Sequence, residues 1–191
     1  RPHMLRPFDV PRILALLGIL LGPRLVEAVD EHDASAIFGG ICGVLRSLIR
    51  HRKDLIKPCL PHLTELLSQQ WRLLSHASSA HTGMAIERQI HASMPCWLNM
   101  VVSPLGLDAA QAFRRVLSEL AGKTSVIHVS KKAKPHTPNM NETLAKSMTK
   151  HAVYILVAYA RCVTMPHTTI PPNLRREIMP GLFALCDICG D

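Results

Sequence analysis

Aromatic side chains are scarce in this chain of 191 residues. Phe, Trp and Tyr make up 4% of it, although hydrophobic residues reach 48%. The apolar content is therefore mostly Leu, Ile, Val, Ala and Met, which favours helices over a sheet rich in aromatic residues. A chain of this length can bury one sizeable core, so we expect an all-α protein that folds unaided.

Long apolar runs are also missing. The most hydrophobic stretch runs from Ile13 to Leu21 and is bounded by Arg12 and Pro23. A helix needs roughly 20 apolar residues to cross a bilayer, so this stretch predicts a buried helix and no membrane partner. The first four residues, 1–4, look like a cloning scar, and we therefore assign residues 5–191 to a single helical domain.

Acidic residues are fewer than basic ones. The chain has 14 Asp and Glu against 22 Lys and Arg, which gives a net charge of +8 with its 11 histidines neutral. Such a balance is typical of proteins that associate with nucleic acid or other acidic partners, and equally of proteins that are simply basic. Charge alone therefore predicts the sign of a partner's charge and does not predict a reaction.

Catalytic motifs are not found in the sequence. It contains no glycine-rich phosphate loop and no nucleophile elbow, and its histidines form no HExxH pattern. Acids that could serve as general acid or base are sparse. We therefore predict that the protein is not an enzyme and needs no cofactor.

A CxxC pair near the end of the chain is the one pattern typical of metal or redox chemistry. A zinc site at Cys186 and Cys189 would need two more ligands, and Cys162 and His167 are the nearest candidates in an irregular set. Cys162 and Cys189 also fall on apolar helix stripes, and no βαβ pattern surrounds the pair. We favour packed cysteines with no metal, and a zinc-binding or redox protein is the least favoured alternative.

Apolar residues recur at helical spacing along most of the chain, and prolines separate the repeats. The spacing predicts helices over 10–21, 37–49 with Asp33 as cap, 63–75, 84–94, 97–102, 107–120, 141–162 with Asn141 as cap, and from 173 onward. Short proline turns between helices suggest stacked antiparallel helix pairs, as in an armadillo or HEAT-like solenoid fragment. An irregular helical bundle is the alternative.

Residues 122–141 lack this periodicity. The stretch contains prolines and the basic triplet Lys131, Lys132 and Lys134. Such composition is typical of linkers, so we expect a mobile basic linker there.

A second basic cluster has helical spacing. Arg46, Arg50, Lys53 and Lys57 would share one face if a single helix continued through them, with Arg52 at its edge. The cluster is either an ordinary solvated face or a surface for phosphates or an acidic partner. The candidate nucleic-acid or acidic-partner residues are Arg46, Arg50, Arg52, Lys53, Lys131, Lys132 and Lys134.

The last fifty residues or so carry a family resemblance. The stretches KSMTKHAVYILVAYARCV and PPNLRREIMPGLFALCDICGD are similar to the carboxy-terminal domain of the second member of the Urb/Npa (unhealthy ribosome biogenesis) family, whose members are nucleolar pre-rRNA processing proteins. The resemblance implies that the matching residues form a structural family motif. They are Lys150, His151, Tyr159, Arg176, Glu177, Pro180, Gly181, Leu185 and Asp187.

This resemblance implies a non-catalytic scaffold that helps to assemble pre-60S particles in the nucleus and nucleolus. It also implies protein partners: a large helical-repeat companion of the Urb/Npa group, a DEAD-box RNA helicase and other pre-ribosomal factors, with pre-rRNA as a further contact. Our leading hypothesis is a protein-interaction and assembly module. The alternative is a direct RNA-binding helical module.

One local feature of the motif predicts an irregularity. Proline inside a helix removes a backbone donor, and the glycine that follows it relaxes the turn. We therefore expect a kink or the start of a new helix at Pro180 and Gly181.

Overall fold

The computed structural model describes residues 5–23, 34–77, 92–98, 104–122, 140–165 and 167–189. Within these ranges the main elements are helical. They are α1 (Asp9–Leu21), α2 (Ala34–His51), α3 (Lys53–Ile56), α4 (Leu60–Leu74), α5 (Leu107–Leu120), α6 (Met140–Thr164) and α7 (Pro172–Cys189). A 3₁₀ turn, Lys57–Cys59, joins α3 to α4. The predicted all-α class is confirmed.

Two very short strands accompany the helices. Strand β1 (His76–Ala77) follows α4, and β2 (Thr168–Thr169) follows α6; the two pair antiparallel. The sequence predicts no strand at either position, because two residues carry no detectable strand periodicity. The strands tie together the chain segments that leave α4 and α6.

Several predicted helix bounds agree closely with the structure. Helix α1 covers the predicted 10–21, and α5 covers exactly the predicted residues. Helix α7 begins at Pro172, a position where proline is well tolerated because the first N–H of a helix has no partner. Helix α6 begins at Met140, so Asn141 lies in its first turn and is not the residue before it.

Other predictions fall on residues outside the described ranges. These are the cloning scar at 1–4, the cap at Asp33, most of the helices over 84–94 and 97–102, and the basic triplet Lys131, Lys132 and Lys134. The predicted linker over 122–141 overlaps α6 at its last two residues.

The helices pack mainly against neighbours that are distant in sequence. Helix α5 packs on α2 and α7, and α4 packs on α1 and α6. Helices α4 and α6 run in the same direction, since Leu60 faces the beginning of α6 near Ser147, whereas Ser75, just after α4, contacts Cys162 near its end. This arrangement of the described helices fits the irregular bundle better than stacked antiparallel pairs.

The core is one cluster of buried apolar side chains that extends from Val10 to Leu185. At its centre a series of aromatic contacts crosses the bundle. Phe38 of α2 lies edge-on to Phe113 of α5, with ring centroids 6.3 Å apart, and Phe113 is 4.8 Å from Trp71 of α4. Trp71 in turn lies 5.0 Å from Tyr159 of α6, so four helices meet through these rings.

None of the described helices combines the length and the apolar character that crossing a membrane requires. Helix α1, which contains the most hydrophobic stretch, buries Val10, Leu14, Leu17 and Leu21 on one side and packs on α4. It is a core helix, as the sequence predicts.

The Pro-Gly pair lies inside α7, and the helix continues through it. The prediction of a new helix start there was wrong, because Pro180 is exposed and the carbonyl of Arg176, which loses its intrahelical donor, can bond to water instead. A kink at this point stays a prediction. Gly181 is buried and packs directly on α5, where an added Cβ would lie 3.0 Å from Leu117 Cβ and 3.2 Å from the Arg114 carbonyl oxygen.

Replacing Gly181 with alanine should therefore destabilise the protein. Overpacking typically costs about 1–3 kcal/mol, which exceeds the roughly 0.5–1 kcal/mol gained when alanine replaces glycine within a helix. We expect a lower free energy of unfolding for Gly181→Ala in urea denaturation followed by circular dichroism. The matched control is Gly40→Ala in the interior of α2, where no atom lies within 4 Å of an added Cβ and the change should stabilise. Equal effects at the two positions would contradict this account of the α5–α7 contact.

Candidate interaction surface

The predicted basic face is interrupted in the structure. Helix α2 ends at His51, and Arg52 has a non-helical backbone, with φ −135° and ψ 50°. Lys53 then begins the separate short helix α3, and Lys57 lies in the 3₁₀ turn. The condition for four cations on one helix face is therefore not met.

Two of the candidate cations point to a carboxylate on another helix. Arg50 Nη2 donates to Oε1 of Glu119 on α5 at 2.5 Å, and Arg46 Nη2 lies 3.7 Å from the same oxygen. The Glu119 side chain is only 8% exposed. The pKa of Lys53 is lowered by burial, which the charge of Glu119 opposes. Glu119 thus offsets one of the positive charges of this cluster.

Arg52 is also held by partners within the protein. Its guanidinium donates to the carboxylate of Asp54 at 3.0 Å and to the backbone carbonyl of Leu5 at 2.6 Å. The bond from Arg52 lowers the pKa of Asp54 below its usual value. Of the predicted binding residues in the described part of the chain, all four are therefore close to an acidic side chain.

A different group of cations forms a cleft that the sequence analysis missed. Lys57 of the 3₁₀ turn faces Lys146, Lys150 and His151 of α6 across a space of about 510 Å³. None of the described residues that line this lysine cleft carries a carboxylate. The i, i+4 spacing of Lys146 and Lys150 indicates in the sequence that both lie on one helix face. The position of Lys57 beside them depends on how α6 packs on α4.

An apolar groove of about 750 Å³ lies between α4 and α6 and adjoins the lysine cleft. His151 lines both the groove and the cleft. We call this groove the α4–α6 groove. Its wall includes Tyr154 and Val157 of α6 and Met165 just after it, whose exposed fractions are 64%, 42% and 51%. Val153, beside them on α6, is 50% exposed. Large apolar side chains on one exposed helix face are typical of surfaces that bind other molecules.

The residues of the family motif separate into buried and exposed groups. Leu185 and Gly181 are buried, and the half-buried Tyr159 contacts Trp71 and lies with its hydroxyl 4.0 Å from Met179 Sδ of α7. Glu177 of α7 accepts from Arg114 Nε of α5 at 3.3 Å. The exposed group is Lys150, Arg176, Pro180 and Asp187, and His151 is half-buried beside Lys150.

The CxxC cysteines lie at the end of α7. Cys186 is exposed and Cys189 is half-buried. The pKa of Cys189 is raised by burial and, to a smaller extent, by Cys186. Burial also raises the pKa of Cys162, which a hydrogen bond with Ser75 partly offsets. Within the described ranges no three or more His, Cys, Asp or Glu side chains are grouped so that they could hold a metal ion.

The cysteines should differ strongly in reactivity. Burial raises the pKa of Cys42 to about 12, and only the thiolate reacts quickly with alkylating reagents. We expect brief iodoacetamide treatment of the folded protein near pH 8 to modify Cys186 and to spare Cys42, as measured by mass spectrometry of the peptides. In urea both should react at similar rates. Modification of Cys42 as fast as Cys186 in the folded protein would contradict the packing of α2 against α4 and α5.

Comparison with known proteins identifies a family. Nothing among curated proteins or solved structures matches the chain. The family model described as the Urb2/Npa2 family matches residues 1–191, the whole chain, and so confirms the resemblance seen in its last two helices. This is a family of ribosome biogenesis. The chain belongs to the Urb2/Npa2 family.

Proposed function

We propose that this domain is a non-catalytic scaffold in nucleolar assembly of the large ribosomal subunit and in pre-rRNA processing, and that it acts mainly through contacts with other proteins. The proposal combines family membership with one observation on the surface. Val153, Tyr154 and Val157 expose large apolar side chains on the same stretch of α6. Tyrosine and aliphatic residues at the centre of such a patch are typical of protein interfaces.

The proposed partners follow from the family. They are a large helical-repeat companion of the Urb/Npa group, a DEAD-box RNA helicase and other pre-ribosomal factors, on particles that contain pre-rRNA. Assembly on such particles takes place in the nucleolus, which is the proposed location. The basic surface would add contacts with rRNA or with acidic protein segments.

Affinity purification of the full-length natural protein tests this function. We expect it to recover pre-ribosomal proteins and, after ultraviolet crosslinking, pre-rRNA. Recovery of a stable set of partners that includes no pre-ribosomal component would contradict the proposal. A matched preparation of particles lacking this domain should lose the partners that depend on it and retain the rest.

Direct RNA binding is the second candidate, and the lysine cleft favours it. Three exposed lysines line this cleft, and the described residues around them include no carboxylate, an arrangement suited to backbone phosphates. A protein that binds RNA in this way would lose affinity steeply as salt rises, because bound phosphates release counterions.

The salt dependence of RNA affinity tests this second candidate. With three phosphate contacts on single-stranded RNA, a rise from 50 to 200 mM salt should weaken binding about twentyfold. Lys150→Glu should weaken it further, whereas Arg115→Glu, an exposed cation on α5 outside the cleft, should have a smaller effect. Fluorescence anisotropy with a labelled pre-rRNA fragment measures both. No measurable affinity at 50 mM salt would exclude direct RNA binding by this domain.

A further inference from the structure

The α4–α6 groove is long enough to hold a helix. On α6 its wall and the adjoining lysine cleft extend from Lys146 to Met165, and on α4 and the preceding turn from Lys57 to Arg72. At a rise of about 1.5 Å per residue these stretches span roughly 22–28 Å, or four to five helical turns. The two helices run in the same direction, so they form parallel walls along that length.

The apolar part of the groove lining is mostly aliphatic, and it lies beside polar side chains such as Thr64 and Ser68. Val157, Ala158 and Met165 form it together with Pro61, and Tyr154 is the one Phe, Tyr or Trp among the described lining residues. Surfaces that bind single-stranded RNA without base-specific contacts offer several aromatic rings on which successive bases stack. An aliphatic groove between two helices is instead typical of sites that take the apolar face of an amphipathic helix.

The charges around the groove are nearly all positive. Lys57, Lys146 and Lys150 lie at one end, and Arg72 and Arg161 lie at the other. None of these five side chains forms an ion pair with any residue in the described ranges. Among the described residues of the lining, Glu65 is the one acid, and its carboxylate accepts a hydrogen bond from Gln69 at 3.1 Å.

A second copy of this chain is a poor occupant of such a site. If two copies met through the same groove, the lysines and arginines of one would face those of the other, and like charges brought close together repel. The net charge of +8 adds to this repulsion. The complementary occupant has apolar residues at helical spacing and carboxylates on the flanks of that stripe, near both ends.

We infer that the α4–α6 groove binds an acidic amphipathic helix from a partner protein, with its apolar stripe on Tyr154, Val157 and Met165 and its carboxylates against the lysine cleft and Arg161. This inference rests on the proposed function, since it names the site and the chemistry of one protein contact. Helix-in-groove binding of this kind takes its affinity from the apolar contact and its orientation from the flanking charges.

Site-specific photocrosslinking in the full-length protein tests the inference. Benzoylphenylalanine at Tyr154 or at Val157 should crosslink, within purified pre-ribosomal particles, to a protein segment that mass spectrometry identifies. We expect that segment to carry apolar residues at i, i+3, i+4 and i+7 and a net negative charge. The control position is Val44 on α2, which lies outside the groove and is exposed to a similar extent as Val157. Benzoylphenylalanine at this position should not crosslink to the same segment.

A synthetic peptide of the crosslinked segment then allows a quantitative test with the purified chain. The double variant Lys146→Glu and Lys150→Glu should bind it at least about tenfold more weakly, and Tyr154→Ala should have a similar effect. Arg115→Glu is the matched charge reversal outside the groove and should leave affinity within about twofold. Replacing the facing carboxylates of the peptide with lysine should restore binding to the double variant.

The substituted side chains of the protein are all exposed. The helical circular dichroism spectrum and the thermal unfolding of each variant should therefore match those of the unaltered protein.

The outcomes separate this inference from the proposed function. If the protein remains on pre-ribosomal particles but position 154 crosslinks to RNA, to a second copy, to a basic segment or to nothing, the inference is wrong and the scaffold function stands. If the protein is not associated with pre-ribosomal particles at all, both are wrong. Unchanged peptide affinity in the double lysine variant would overturn the role of the lysine cleft and with it the acidic helix.

Discussion

The contact between Trp71 and its aromatic neighbours is the interaction on which the rest of the bundle depends. Trp71 is fully buried and lies against Phe113 on one side and Tyr159 on the other, while Phe113 also meets Phe38. Four of the chain's eight aromatic residues thus lie at one junction of four helices. Each such pair contributes about 0.5–1.5 kcal/mol beyond the burial of its area. The junction also holds α4 against α6, and so it sets the spacing of the two walls of the α4–α6 groove.

A second constraint is the close approach of α5 and α7. The approach requires glycine at position 181, since a side chain there would collide with α5. The ion pair between Arg114 and Glu177 lies one turn away. The proline before the glycine faces solvent, where the carbonyl that loses its backbone donor can bond to water, so the loss destabilises the helix little. Part of the family motif therefore maintains a helix contact, whereas Lys150 and His151 lie on the surface beside the groove.

The distribution of charge follows from the same packing. Because α5 packs on α2, Glu119 lies beside Arg46 and Arg50 and offsets charge that the sequence assigned to a binding surface. No described acid occupies the equivalent place beside Lys57, Lys146 and Lys150. A second positive surface therefore exists, with no acid beside it among the described residues. It lies where two distant parts of the chain meet.

Sequence by itself determined the all-α class, most bounds of the described helices, their buried faces and the family, since helical periodicity and motifs are local properties that residues three or four apart display. It could not place the lysine cleft or the α4–α6 groove, and it did not show that α2 ends before Lys53. Of the two alternatives expected at Pro180 and Gly181, the new helix start was wrong. Arg50 and Glu119 are 69 residues apart, and the groove walls are separated by a still longer stretch of chain. Only tertiary packing decides which distant helices become neighbours, and hence which charges are paired and which apolar faces stay exposed.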